Sequence, residues 1–387
     1  MQETKLILPC HFGLEAVVKR ELTDLGFRVS QTKDGRVICD CTDPAREIVR
    51  ANIRLRTPER VLWCMGRFRA TTWDELFEGV RAIAWEEILP RDARFWVTKA
   101  SSVRSKLFSP SDIQRIVKKA MVERMKTRYA TEHFPEDGAA YPLRVSILED
   151  EVSVCLDTSG ESLHKRGYRR TNVAAPIAEN LAAALLMLTP WRADRILADP
   201  FCGSGTFLIE AAMMAAHIAP GIHRDFTAAH WEQLVPASLW KEAKKEAYSE
   251  IDTGIETDLQ GYDIDPATVE VARTSAREAG VEELVHFQVR DVADFSHRKK
   301  YGFLITNPPY GERLQAADDG MFALYRTLGE RYAALEDWSM YVITSYADAE
   351  RAIGRKADRN RKIYNGMIET RFYQYFGARP PKREKHA

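Results

Sequence analysis

Residues 307–310 read Asn-Pro-Pro-Tyr and close the apolar run Phe303-Leu304-Ile305-Thr306. These residue types suit alkylation of a flat nitrogen. The lone pair of an exocyclic amine on a nucleobase is delocalised into the ring, so the amine is a poor nucleophile. A side-chain amide oxygen and a backbone carbonyl can accept hydrogen bonds from its two N–H groups. They hold the amine and stabilise charge developing on nitrogen as a methyl group arrives. Asn307 supplies the amide oxygen, Pro308 a carbonyl with φ fixed by the ring, and Tyr310 a face on which a base can stack. Asn307, Pro308, Pro309 and Tyr310 form the candidate catalytic set. Taken alone, Asn-Pro-Pro reads equally well as a strand ending in a proline turn.

Three earlier strand ends change that balance. The run Ile196-Leu197-Ala198 leads into Asp199-Pro200-Phe201-Cys202-Gly203-Ser204-Gly205-Thr206 and then a helical stretch from Phe207. Glycines at such a turn let backbone amides approach a ligand at a helix N-terminus. Leu208 stands where the dinucleotide fingerprint needs its third glycine, which disfavours a pyrophosphate loop. Cys202 beside the glycines reads as a small residue filling a tight turn, since no histidine lies in the motif. A second strand ends at Asp263-Ile264-Asp265-Pro266. There Asp263 can accept from ribose hydroxyls, and Asp265 can cap the helix that Pro266 opens. A third, Val285–Arg290, ends at Asp291-Val292. Asp291 suits an adenine amine, and nearly as well a plain turn. The carboxyl ends of strands in an open α/β sheet are where ligands bind. Asp199 and Asp263 lie 64 positions apart, whereas a simple βαβ unit separates such residues by about 20. The stretch from Ala219 to Gly254, with Trp231, Trp240 and a Lys/Glu-rich helical run, reads as an insertion.

This ordered series resembles the class I S-adenosylmethionine-dependent methyltransferases that methylate amino groups. The resemblance implies a Rossmann-like α/β domain and S-adenosylmethionine as cofactor. It assigns Gly203 and Gly205 to the methionine part, with Asp199 near its amino group. Asp263 takes the ribose, Asp291 the adenine, and Asn307 to Tyr310 the target amine. Pro200, Phe201, Thr206, Ile264, Val292 and Asn307 complete the expected cofactor contacts. Asn-Pro-Pro-Tyr families methylate adenine N6 in DNA, guanine N2 in RNA or a glutamine amide in protein. The amino-terminal half must therefore choose the substrate.

The chain has 387 residues, 45% of them hydrophobic and 29% charged, a globular composition sufficient for two or three domains. No apolar run approaches membrane-spanning length, and the first residues do not read as a signal peptide. The six cysteines form no Cys-x-x-Cys pair and the nine histidines show no metal-ligand spacing. No metal is expected, and reduced thiols in a cytoplasmic protein are. The net charge of zero is unevenly spread: residues 1–170 carry 30 Lys/Arg against 25 Asp/Glu, and residues 91–130 carry 11 against 3. That local excess is an electrostatic footprint for nucleic acid. The stretch Lys99 to Phe108 reads as a loop of cations, hydroxyls and an aromatic ahead of a helix capped by Ser111 or Asp112. Ile113, Ile116, Val117, Ala120, Met121 and Met125 form the apolar face of that helix. On its own the helix reads as an ordinary solvated basic face.

The order of elements before residue 65 is βαββαβ, a ferredoxin-like arrangement. It comprises a strand at Leu6–Leu8, a helix over Gly13–Leu25, strands from Val29 and over Arg36–Cys39 around an Asp34-Gly35 turn, a helix over Pro44–Ile53, and a strand at Arg60–Cys64. A second α/β module follows, ending in a hairpin over Leu143–Leu148 and Val152–Leu156 with Asp150 in its turn. The junction reads Leu163-His164-Lys165-Arg166-Gly167-Tyr168-Arg169-Arg170, then Ala175-Pro176-Ile177-Ala178-Glu179-Asn180-Leu181. The whole resembles bacterial rRNA guanine-N2 methyltransferases of the 23S type, with a ferredoxin-like domain and an RNA-binding THUMP domain ahead of the catalytic domain. The resemblance implies domains over 1–65, 66–160 and 161–376, and a basic, disordered tail over 377–387. Lys99, Arg104, Lys106, Lys118, Lys119, Arg166 and Arg169 are the candidate RNA contacts. In the related family the junction also helps close the cofactor pocket. Guanine N2 in 23S rRNA is the expected target. A tRNA guanine, or a non-catalytic RNA-binding assembly role, are the alternatives.

Overall fold

A computed structural model of the chain describes residues 4–169, 176–309, 318–366 and 368–381. By their contacts these residues form two units: 1–10, 19–163 and 224–246 in the first, 11–18, 164–223 and 247–387 in the second.

The first unit begins with β1 (Thr4–Pro9), α1 (Glu15–Asp24), β2 (Arg28–Lys33), β3 (Arg36–Cys41) and α2 (Pro44–Arg54). It continues through β4 (Leu62–Arg69), α3 (Trp73–Arg81), β5 (Arg94–Val103), α4 (Pro110–Tyr129), β6 (Ala140–Leu148) and β7 (Glu151–Asp157). Local chemistry explains most of these ends. Gly35 takes a positive φ of 71° in the β2–β3 turn, as that hairpin requires. Thr72 and Glu75 close a capping box on α3. Glu149 and Asp150 both adopt positive φ between β6 and β7.

All seven strands form one sheet in the order β2-β3-β1-β4-β7-β6-β5. β4 pairs with β1 through Leu62–Cys64 and with β7 along its length. The division expected after residue 65 therefore falls inside a strand, and the two amino-terminal modules share continuous backbone hydrogen bonding. β5 reaches Val103, so the first half of the stretch expected as a loop from Lys99 is strand. The N-cap of α4 is Ser109, which accepts from Asp112 N at 3.3 Å with Pro110 in the first turn. Ser111 and Asp112 lie inside the helix, because Pro110 can open a helix but donates no N–H.

The expected insertion supplies part of this unit. Ala228 N donates to Thr158 O at 3.0 Å. Trp231 Nε1 donates to Ala140 O at 2.8 Å, and its ring stacks on Tyr141 at 4.9 Å with a 7° interplanar angle.

In the second unit the chain runs through α5 (Glu179–Met187), β8 (Leu197–Asp199) and α6 (Thr206–Ala215). α7 (Ala237–Ser249) lies mostly in residues grouped with the first unit. The second unit resumes with β9 (Leu259–Asp263), α8 (Pro266–Glu278), β10 (Val285–Val289) and β11 (Phe303–Thr306). It closes with α9 (Asp318–Ala333), β12 (Ser339–Thr344), α10 (Ala349–Ile353), β13 (Arg359–Asn365) and β14 (Ile368–Tyr375). The sheet order is β10-β9-β8-β11-β12-β14-β13. β8 to β12 are parallel, and the β13–β14 hairpin extends the sheet antiparallel. Tyr325, Leu328, Trp338, Met340, Val342 and Tyr375 anchor the core beside β11 and β12.

Candidate active site

The tips of β8, β9 and β11 are tied to one another by hydrogen bonds. Asp199 Oδ1 accepts from Thr306 Oγ1 at 2.6 Å and from Phe201 N at 3.1 Å. Asp263 Oδ2 accepts from Gly203 N and Oδ1 from Asp265 N, both at 3.1 Å. Asp265 in turn caps α8 through Ala267 N and Thr268 N. Asp291 accepts from Ala293 N at 2.8 Å and caps a short 3-10 turn that begins with buried Val292. Burial pushes the Asp199 carboxyl up to about 7 against those two hydrogen bonds, with a further push from Asp263. Burial also raises Asp263, opposed by its backbone N–H partners. The Cys202 thiol is pushed well above its ordinary range by burial, then by Asp199 and Asp263. It stays protonated, as a turn-filling residue would.

The two glycines differ. A Cβ on Gly205 would meet Phe287 Cζ at 2.6 Å. Gly205 is thus required for packing and for its φ of +79° at the start of α6. Gly203, at φ +52°, would project a Cβ into open space, which leaves its backbone accessible. Ile264, beside Asp263, is 67% exposed, an apolar side chain offered at a strand tip.

Asn307 follows β11, and its Oδ1 is buried with no hydrogen-bond partner among the described residues. Such an acceptor is costly unless something donates to it. Pro308 is buried and Pro309 half-buried. The Tyr325 hydroxyl donates to Pro309 O at 3.3 Å and bonds Thr344 Oγ1 at 2.6 Å. Tyr325 thus fastens the turn to α9 and β12, a role its place in the sequence did not signal. Tyr310 lies outside the described residues.

The junction residues point inward. Arg166 is 4% exposed and pairs with fully buried Glu210 of α6, Nε to Oε1 at 3.3 Å. The Tyr168 hydroxyl donates to the same carboxylate at 3.2 Å. Arg169 donates to Thr206 Oγ1 at 2.6 Å and Ile177 O at 3.1 Å, and pairs with Glu179 at 3.5 Å. The expectation that Arg166 and Arg169 face RNA is corrected: a charge buried beside carboxylates has its partner already. Glu210 was missed, although a lone acid in the apolar run Phe207 to Ala212 was its signal. Lys118 also spends its charge internally, on Glu136 at 2.5 Å and over the Phe95 ring. Lys99, Lys106 and Lys119 are exposed, and exposed Arg104 pairs with Glu149 at 3.1 Å. Phe108 beside them is 80% exposed.

Parallel strands with these residues at their carboxyl ends define a class I methyltransferase fold. The open Gly203 backbone, the Asp263 carboxylate and exposed Ile264 fit S-adenosylmethionine, the cofactor of this class. The family model described as RMKL-like, methyltransferase domain, matches residues 166–374. An RlmL ferredoxin-like domain matches 5–62 and a THUMP domain 70–157. The chain belongs to this family of THUMP-bearing, S-adenosylmethionine-dependent methyltransferases.

YpsC of Bacillus subtilis, assigned as an RNA methyltransferase, is 42% identical over 100% of this chain and 99% of its own length. The ribosomal RNA large subunit methyltransferase K/L of Syntrophotalea carbinolica is 34% identical over 96% of this chain, which spans 54% of that protein. Among solved structures, SMU.472, assigned as a methyltransferase and complexed with SAH, superposes with a TM-score of 0.91. It is 42% identical, covering 98% of this chain and 100% of that one. A Listeria monocytogenes protein assigned as an N6-adenine-specific DNA methylase superposes at 0.90 with 43% identity, over 98% of this chain and 97% of its own. None of the described helices is long and apolar enough to cross a membrane.

Proposed function

We propose that this methyltransferase acts on RNA and transfers a methyl group to the exocyclic N2 of a guanine, with 23S rRNA as the target. The observation that carries this reading is the buried, unpartnered Oδ1 of Asn307. The target amine donates one N–H to that oxygen and the other to the Pro308 carbonyl. The cofactor would supply a sulfonium-activated methyl group, its S–CH3 bond breaking to leave a neutral thioether, and the proton displaced from the amine passes to solvent, so no strong general base is needed. Asp263 and the Gly203 backbone orient the cofactor, and Asp199 faces its amino group. The guanine is withdrawn from stacking before it reaches Asn307. Positioning and the two acceptors supply the rate. The THUMP match, the cationic amino-terminal region and the names of YpsC and the K/L enzyme favour RNA over the DNA adenine named for the Listeria protein.

The test is transfer of radiolabelled methyl from S-adenosylmethionine to separate pools of unmodified 23S rRNA, 16S rRNA, tRNA and DNA, followed by nucleoside analysis. N2-methylguanosine in 23S rRNA is expected. The same nucleoside in tRNA keeps the chemistry and changes the substrate. N6-methyladenine in DNA overturns the reading, and no label with cofactor binding intact points to the assembly role.

A further inference from the structure

The amino-terminal sheet holds a pocket that no step of methyl transfer uses. Its floor is Ile7, Leu62 and Cys155, and its walls carry Arg36, Lys99, Ser101, Arg144 and Ser146. Glu59 is the acid among its lining residues. The cations are not equivalent. Arg144 is committed to Asp157, Nε to Oδ2 at 3.0 Å. Asp157 also holds Arg60 at 2.8 Å. Arg36 instead donates to a neutral hydroxyl, Ser146 Oγ, at 2.9 Å. No carboxylate lies within ion-pair distance of Arg36 among the described residues. Nearby Arg67 has a buried Nε with no hydrogen-bond partner. Burial pulls the Arg36 guanidinium below its ordinary value, opposed by the Cys155 sulfur, and the Arg67 charge pulls the same way as burial. A partly desolvated guanidinium lacking an acid is unfavourable unless an anion arrives to pair with it.

The rest of the pocket says which anion. An apolar floor beside cations and hydroxyls fits one nucleotide, with its base on the floor and its phosphate at the rim. Lys99, an RNA-contact candidate from the sequence, is exposed at that rim. We propose that this pocket binds an unpaired nucleotide of the RNA substrate, its phosphate held by Arg36 and Lys99, at a site separate from the Asn307 turn. The proposal rests on RNA being the substrate, and not on which base is methylated.

The experiment is fluorescence anisotropy of a labelled twelve-residue oligouridylate with the full chain, titrated at several salt concentrations. Arg36→Gln is expected to weaken binding about tenfold. It should also reduce the slope of log affinity against log salt by about 0.7, the loss of one single-strand phosphate contact. Arg36→Lys should recover most of that slope. Cofactor affinity by calorimetry should be unchanged in both variants, which separates a lost contact from a misfolded chain. Unchanged affinity and slope in Arg36→Gln overturn the proposal. So does a wild type that binds uridine monophosphate or inorganic phosphate through Arg36 but no oligonucleotide, since the pocket is then a small-anion site. Methylation of a base other than guanine would defeat the proposed target and leave this pocket standing.

Discussion

Arg166 is buried and Arg36 half-buried, and the two guanidinium groups face opposite situations. Arg166 lies against the fully buried Glu210 carboxylate, which also receives the Tyr168 hydroxyl. Among the described residues Arg36 reaches only a serine hydroxyl. The acceptors at the strand tips repeat the contrast. Asp199 is satisfied by Thr306 and Phe201, while Asn307 Oδ1 has no partner among the described residues. A buried polar group that finds its partner inside the protein helps hold the fold. One left without a partner there is a place where a ligand or an ordered water can supply it.

Four predictions press on that distinction. The largest effect is expected from Glu210→Ala, which removes the buried carboxylate shared by Arg166 and Tyr168 and should cost about 3–5 kcal/mol. Thermal unfolding of the full chain should show a large drop in the transition containing the methyltransferase domain. Replacing both residues by leucine should recover most of it. If Glu210→Ala melts like wild type, the pair does not hold the fold.

Asn307→Ala comes next. Turnover should fall roughly 10²–10³-fold, the cost of losing one group that stabilises the transition state. Cofactor affinity by calorimetry should remain unchanged, because the missing atom serves the acceptor. Undiminished turnover would remove Asn307 from the chemistry.

The third concerns pH. Burial raises the Asp199 carboxyl from 3.8 to about 7. Between those values the folded chain holds a proton that the unfolded chain releases. The stability Asp199 contributes is thus fully present below pH 3.8 and is lost as pH rises toward 7, at a slope of at most about 1.4 kcal/mol per pH unit. Asp199→Asn should remove that component from a stability–pH profile. Cofactor binding should run the other way and tighten as pH rises through 7, if Asp199 must ionise to face an amino group. A cofactor affinity flat from pH 6 to 8 would exclude that role.

The smallest effect is expected from Tyr325→Phe, which deletes the hydroxyl between Pro309 and Thr344. A loss of about 1 kcal/mol is expected. As a positioning residue, Tyr325 should show it as a lower kcat with the KM for cofactor unchanged. A matching rise in that KM would place its effect on the cofactor.

Much of the fold was legible because its signals are local. Asp34-Gly35 set one hairpin turn, Asp265-Pro266 opened α8, and apolar runs ending at Asp199, Asp263 and Asn307 marked three parallel strands. Where a signal was ambiguous, the neighbouring structure settled it. Ser109, Ser111 and Asp112 are all acceptable caps, and Pro110 between them decides for Ser109. β13, over Arg359–Asn365, carries four polar or charged residues in its first four positions. It shows no apolar alternation, so its pairing with β14 had no sequence signal.

Residue type and spacing along one strand or turn were enough to give the order of strand-end residues and the presence of an unusual cationic stretch. Which of those charges remain available depends on long-range packing. Arg166 and Glu210 lie 44 positions apart, and Arg36 and Ser146 lie 110 apart. The free energy of a buried charge depends on what the fold brings beside it. The same long-range pairing runs one sheet through the boundary expected after residue 65 and draws residues 224–246 into the first unit.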